Sequence, residues 1–211
     1  MNIFEEVKLL LAYGLKNDLI GKYDEIISRN EIISLLKLED WEDTDISSRT
    51  IPQYPNEILE NICNWAVEKG IIEDSIVIKD LFDTEIMGKI TPSATHVIDK
   101  FIKISSLGGI EKATDNYYEF AQKTNYIRTD RIAKNMYWYS NTITVNLSKP
   151  EKDPRDIAKE RLLPPSSYPK CLLCYENVGY AGRLNHPARQ NHRVLPFFLE
   201  GEQWFLQYSP Y

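Results

Sequence analysis

The sequence predicts an α+β protein in two regions, helical over residues 1–125 and mixed, mostly antiparallel, over residues 126–211. Three observations carry that prediction. Apolar residues in the first region recur at intervals of three and four; near Tyr126 the pattern turns to alternation; beyond it, two β-rich pairs of runs are each split by turn residues. At 211 residues and 43% hydrophobic content the chain can bury a core without disulfides.

Taken in order, Ile3, Phe4, Val7, Leu10 and Leu11 form a helical stripe, and Asn30 is placed to cap EIISLLKL. The acidic run WEDTD, residues 41–45, reads as a solvated loop. Pro55-Asn56 opens EILENICNWAVEK, which Gly70 stops. Pro92 starts a helix using Val97, Ile98, Phe101 and Ile102, and Gly108-Gly109 ends it. Another follows with Ala113, Tyr117, Phe120 and Ala121 on one face. About five or six helices result. In the second region NMYWYSNTITVNL predicts a hairpin around Ser140-Asn141. DPRDIAKERLL predicts a short helix with Asp153 as N-cap, Pro154 at its first position and Asp156 in its first turn, ended by Pro164-Pro165. RVLPFFL and QWFLQYSPY flank Glu200-Gly201-Glu202 as a second hairpin. Its last run is an apolar strand without a neighbour in the sequence, so the expectation is a truncated domain whose sheet needs further chain.

The net charge of −6 hides an asymmetry: residues 1–125 carry 13 Lys+Arg against 23 Asp+Glu, residues 126–211 carry 12 against 8. The acidic part and the basic part are either ordinary solvated faces or, in the second, a surface for an anion such as a nucleotide phosphate. No concentrated basic footprint favours nucleic acid. No apolar stretch is long enough to span a bilayer, and MNIFEEVKLLLAYGLKND carries acids where a signal peptide begins with bases, so the expected location is the cytoplasm, with no membrane partner.

Three cysteines make no disulfide framework. Cys63 reads as core. Cys171 and Cys174, with His186 and His192 behind them, spell C-x2-C-x11-H-x5-H, close to a zinc finger. Pro187 lies between the histidines, where a finger needs unbroken helix, and Gly179 and Gly182 sit where that helix would begin. Half a zinc site completed from elsewhere, or two thiols packed in a knuckle turn, remain as readings of the pair. Asn185, Arg189, Gln190, Asn191, His192 and Arg193 form a dense run of hydrogen-bonding side chains suited to a nucleoside and its phosphates, because amides read base and ribose edges and guanidinium forks match phosphate oxygens.

NYIRTDRIAKN, NLSKPEKDP, YPKCLLCYENVGYAGRLNHPARQNHR and WFLQYSPY resemble the N-terminal part of type 2 galactose-1-phosphate uridylyltransferases, the bacterial UDP-glucose:hexose-1-phosphate uridylyltransferases. EKGIIEDS and LFDTEIMGKITP extend the likeness across the chain. The resemblance implies a partial nucleotidyltransferase sheet related to the histidine triad proteins, and UDP-glucose, UDP-galactose and hexose 1-phosphates as substrates. It implies a ping-pong exchange of UMP through a uridylyl-histidine in galactose metabolism. The family nucleophile sits in a His-Asp-His-x-Gln type motif that this chain lacks, so no catalytic residue is expected here. By the same likeness Arg128, Arg131, Lys149 and Lys152 are candidates for phosphate contacts and Gln190, Asn191, His192 and Arg193 for the nucleoside, while Asn185 and Arg189 are nucleotide candidates by their side-chain chemistry. Cys171 and Cys174 correspond to a knuckle whose other zinc ligands lie downstream. Partners would be a second copy or the C-terminal part of a full enzyme. The rival reading is a noncatalytic nucleotide- or metal-binding module.

Overall fold

A computed structural model describes residues 1–138, 143–145, 147, 151–169, 171 and 173–210; for residues 136–138, 143 and 144 only the backbone is described. The fold is α+β. Helices α1 (Ile3–Lys16), α2 (Glu25–Leu35), α3 (Asn56–Glu68) and α4 (Ile76–Lys89) pack around Val7, Leu10, Leu11, Ile32, Ile58, Ile62, Cys63, Ile86 and Met87. The N-terminal stripe lies inward as its spacing predicts, and Asn2 caps α1 by accepting the Phe4 amide at 3.0 Å. Helix α3 begins after Pro55 and stops at Gly70, whose φ of 67° supplies the left-handed turn beyond the last helical carbonyls. Residues 41–45 contain no helix or strand; Asp43 pairs with Lys8 and Asp45 accepts the Ser47 amide.

Two expectations need correction. Asn30 is not a cap: α2 begins at Glu25, five residues earlier. Its first half is held by a tertiary bond, because buried Ser28 donates its hydroxyl to the Lys89 carbonyl at 2.8 Å, and that tie outweighs the weak helical preference of Asn30. Ile102 is 59% exposed, so the stretch starting at Pro92 uses only Val97, Ile98 and Phe101. The segment between Gly70 and Pro92, to which the spacing assigns no element, forms α4. Its N-cap Ser75 accepts the Ile78 amide.

Helix α5 (Ala94–Lys123) contains the break expected at Gly108-Gly109. Gly109 has φ 88° and ψ 164°, so two helical stretches meet there at a kink. Ala113, Tyr117 and Ala121 are buried on the second stretch. A short turn of helix, α6 (Thr129–Ile132), leads to β1 (Met136–Trp138), which pairs antiparallel with β2 (Ile143–Val145), Tyr137 opposite Thr144. The predicted turn at Ser140-Asn141 lies outside the described residues. Helix α7 (Pro154–Leu162) has the expected cap, with Asp153 accepting the Arg155 amide at 2.7 Å. Buried Asp156 accepts the Ser75 hydroxyl at 2.6 Å, which docks α7 on the start of α4.

Strands β3 (Leu195–Leu199) and β4 (Glu202–Leu206) form the second hairpin, Leu199 opposite Glu202. Glu200 and Gly201 have φ of 52° and 84°, the two left-handed positions a type I′ turn requires. Leu195 and Leu206 pack against Val97 and Tyr117 of α5, and the Tyr117 hydroxyl donates to the Arg193 carbonyl at 2.7 Å. Phe198 and Trp204 on this hairpin are exposed. The sequence boundary at 125/126 falls at the turn after α5, where Asn125 has φ 55°, and side chains from both regions interlock across it. Among the described residues no helix is long and apolar enough to cross a membrane.

Candidate functional site

A cleft of about 380 Å³ opens between α4 and the loop of residues 179–193. Its shape follows from backbone chemistry. Gly179 donates its amide to the Arg189 carbonyl at 2.9 Å and Arg189 returns its amide to Tyr180 at 2.8 Å; Arg183 and His186 exchange both backbone bonds around Leu184-Asn185. The loop is thus a narrow, paired finger. Gly182, at φ 81°, lets it lie against α4: a Cβ there would stand 2.5 Å from the Ala188 nitrogen and 2.6 Å from Leu81 Cδ2. Gly88 of α4 allows a second approach, 2.9 Å to Gln190 Cβ.

Of the predicted contacts, Arg128, Lys152, Asn185, Arg189 and Asn191 line this cleft. Arg131 lines the adjoining hollow, and Lys149 lies outside the described residues. The cations differ sharply in how they are balanced. Arg128 makes two parallel bonds to Asp83 at 2.6 and 2.8 Å, and Arg131 makes two to Asp80 at 2.9 and 2.5 Å. Asp80 and Asp83 are three apart on one face of α4, and Arg128 and Arg131 are three apart on the facing turn, so the pairs lock in register. Both guanidinium groups are spent on that clasp. Arg193 turns away from the cleft to the carbonyls of Pro92, Gln190 and His192, and Lys152 pairs with Glu160.

His192 and Asn191 are structural in this arrangement. Asn191 donates to the Thr124 carbonyl at 2.8 Å, tying the loop to the end of α5. His192 is 4% exposed, stacks on Tyr126 with ring centres 3.8 Å apart, and meets Gln207 Oε1 through Nε2 at 2.9 Å. Burial, with Arg189 and Arg193 nearby, pushes its pKa down to about 4, so the ring is neutral at pH 7. His186 meets Asn177 Oδ1 through Nε2 at 2.8 Å, and Asn177 in turn donates to the Cys171 carbonyl. Burial first, then Arg183 and Arg189, lowers its pKa as well.

Cys171 and Cys174 sit in a tight turn closed by the Cys174 amide on the Cys171 carbonyl at 3.2 Å. Burial and the neighbouring Cys171 thiol raise the Cys174 pKa, which favours thiol over thiolate. Among the described residues no third His, Cys, Asp or Glu joins the pair, so the donor set does not make a tetrahedral zinc site. His186 and His192 are both engaged by amides, which removes the finger arrangement.

Residues 19–209 match the family described as galactose-1-phosphate uridyl transferase, N-terminal domain. The chain belongs to this family. It is 53% identical, over its whole length, to the galactose-1-phosphate uridylyltransferase of Fusobacterium nucleatum, of which it covers 42%. It is 47% identical over 97% of its length to that of Caldanaerobacter subterraneus subsp. tengcongensis, covering 40%, and 44% identical over its whole length to that of Bacillus subtilis, covering 42%. The chain therefore spans about two fifths of the length of these curated relatives. No solved structure matches it. The family match contains the α4 wall of the cleft and the 179–193 finger alike.

Sequence reasoning passed over three residues that shape the site, Asp80, Asp83 and Arg183, and read Gly182 only as a helix breaker. The i,i+3 spacing shared by the two aspartates and the two arginines was the available signal for the clasp. Arg183 had none, since it stands among apolar and turn residues.

Proposed function

We propose that the chain is the N-terminal portion of a UDP-glucose:hexose-1-phosphate uridylyltransferase and that its cleft holds part of the UDP-hexose. In that reaction a histidine nitrogen attacks the α-phosphorus of UDP-glucose and the bond to the glucose 1-phosphate oxygen breaks. The uridylyl-histidine is then attacked by a phosphate oxygen of galactose 1-phosphate, and UDP-galactose leaves with the histidine restored. The nucleophile is a histidine outside these 211 residues. One observation carries the reading: segments matched by the family domain, far apart in sequence, converge on a single cleft through Arg128, Lys152, Asn185, Arg189 and Asn191. His192, buried under Tyr126, and His186, engaged by Asn177, are poorly placed for attack on phosphorus.

The test is calorimetry of the 211-residue chain with UDP and UDP-glucose, followed by amide chemical-shift mapping. Binding that perturbs residues 183–191, with no turnover of UDP-glucose and galactose 1-phosphate in a coupled assay, is the expected result. Turnover by the purified chain would force His186 or His192 into catalysis. A footprint confined to residues before Tyr126 would place the pocket elsewhere.

A further inference from the structure

Arg189 is 5% exposed and lines the cleft, yet among the described residues its Nε has no hydrogen-bond partner and no carboxylate pairs with it. Its one side-chain neighbour of note is the face of Tyr126, 5.4 Å from the guanidinium carbon, and a neutral ring supplies no counterion. A buried cation without an anion is strongly disfavoured. The other arginines nearby show what balance looks like: Arg128 has Asp83, Arg131 has Asp80, and Arg193 has three carbonyls at 2.7–2.8 Å. Arg183, on the same finger and the same cleft wall, is also underused. Its Nη2 donates to the Pro164 carbonyl at 2.9 Å while its buried Nε has no partner.

We infer that Arg189 and Arg183 form the phosphate-binding end of the cleft and take a phosphoryl or diphosphoryl group as the anion that Arg189 lacks. This rests on the proposed uridylyltransferase reading and sharpens it, because it moves the phosphate contacts away from Arg128 and Arg131. Those two are positioning residues: their clasp on α4 holds the 125–128 turn, and with it Tyr126, against which Arg189 lies. Tyr126 is fixed in turn by its stack on His192. Arg183, His186 and Arg189 all line this cleft, and His186, its pKa lowered first by burial, also feels the charge of both arginines. A planar fork backed by an aromatic face is pre-organised for phosphate oxygens, and little conformational freedom is left to lose on binding.

The experiment titrates inorganic pyrophosphate, UDP, uridine and galactose 1-phosphate into the 211-residue chain and into Arg189→Ala, Arg189→Lys and Arg183→Ala, each checked by thermal unfolding. Lys100→Ala, which removes a distant cation paired with Asp18, controls for net charge. Pyrophosphate and UDP binding weakened about ten- to a hundredfold by Arg189→Ala and by Arg183→Ala, but not by Lys100→Ala, supports the assignment. Arg189→Lys keeps the charge without the fork and falls between. If Arg189→Ala does not fold, Arg183→Ala and Arg189→Lys decide. Should galactose 1-phosphate bind with the same arginine dependence and UDP not, the phosphate end stands and the UDP reading falls. Pyrophosphate bound with equal affinity by all variants, or not bound by the unaltered chain, overturns the inference.

Discussion

Replacing Gly182 by alanine should damage the protein through geometry alone, and the structure allows the cost to be divided. The residue sits at φ 81°, a left-handed conformation that costs an L side chain roughly 1–2 kcal/mol. A methyl group there would also stand 2.5 Å from the Ala188 nitrogen, 2.7 Å from its Cα and 2.6 Å from Leu81 Cδ2. Two of those neighbours are backbone, which cannot swing aside, so relief requires lifting the finger from α4 at a further cost of about 1–3 kcal/mol. Gly179 separates the two contributions. It has φ 80°, but nothing lies within 4 Å of the added carbon. Gly179→Ala should therefore lose only the conformational part, and Gly182→Ala should be at least about 1 kcal/mol less stable than Gly179→Ala in urea unfolding at unchanged m-value. Because Ala188 precedes Arg189, UDP affinity should fall in Gly182→Ala even where the variant remains folded. Equal stability of the two variants would refute the claim that close approach, and not φ alone, demands glycine at position 182.

Three further outcomes are expected. Arg128→Ala should destabilise the chain by about 3–5 kcal/mol because it strands the nearly buried Asp83 carboxylate, whereas Arg128→Met combined with Asp83→Leu should recover most of that loss; a simple additive cycle by chemical denaturation would argue against the clasp. The His192 imidazole titrates near 6.5 when unfolded and near 4 when folded, so its neutral form contributes fully above about pH 6.5 and is lost as the pH falls toward 4, by about 3 kcal/mol in all; His192→Gln should flatten this part of the stability profile, and identical profiles would show that the ring is not buried as described. Zinc uptake by the chain should be weak and should vanish in Cys171→Ser with Cys174→Ser, measured by equilibrium dialysis and metal analysis, whereas one tightly held zinc per chain that depends on His186 and His192 would restore the finger reading.

Much of the architecture was legible in the residues because it rests on local chemistry. The Asp153-Pro154 start of α7, the Gly70 stop of α3 and the Glu200-Gly201 turn each depend on the φ preference or capping capacity of one or two side chains. The N-terminal apolar stripe depends only on a period. The motif of residues 168–193 likewise pointed to the family, and Arg189 was among the candidates it offered for a nucleotide. Where local preference competed with packing it failed, as at Asn30, where the Ser28–Lys89 bond carried the helix past the residue expected to begin it. What only tertiary structure decided is which cations remain available to a ligand. Arg128, Arg131, Arg189 and Arg193 are the same side chain in the sequence, but Asp83 and Asp80 neutralise two of them and backbone carbonyls occupy the donors of Arg193, while Arg183 joins the one left over. A charge is offered or spent according to what lies within about 3 Å, and Asp83, Asp80 and Pro92, which help to decide it, stand some 45 to 100 positions away from the arginines they hold.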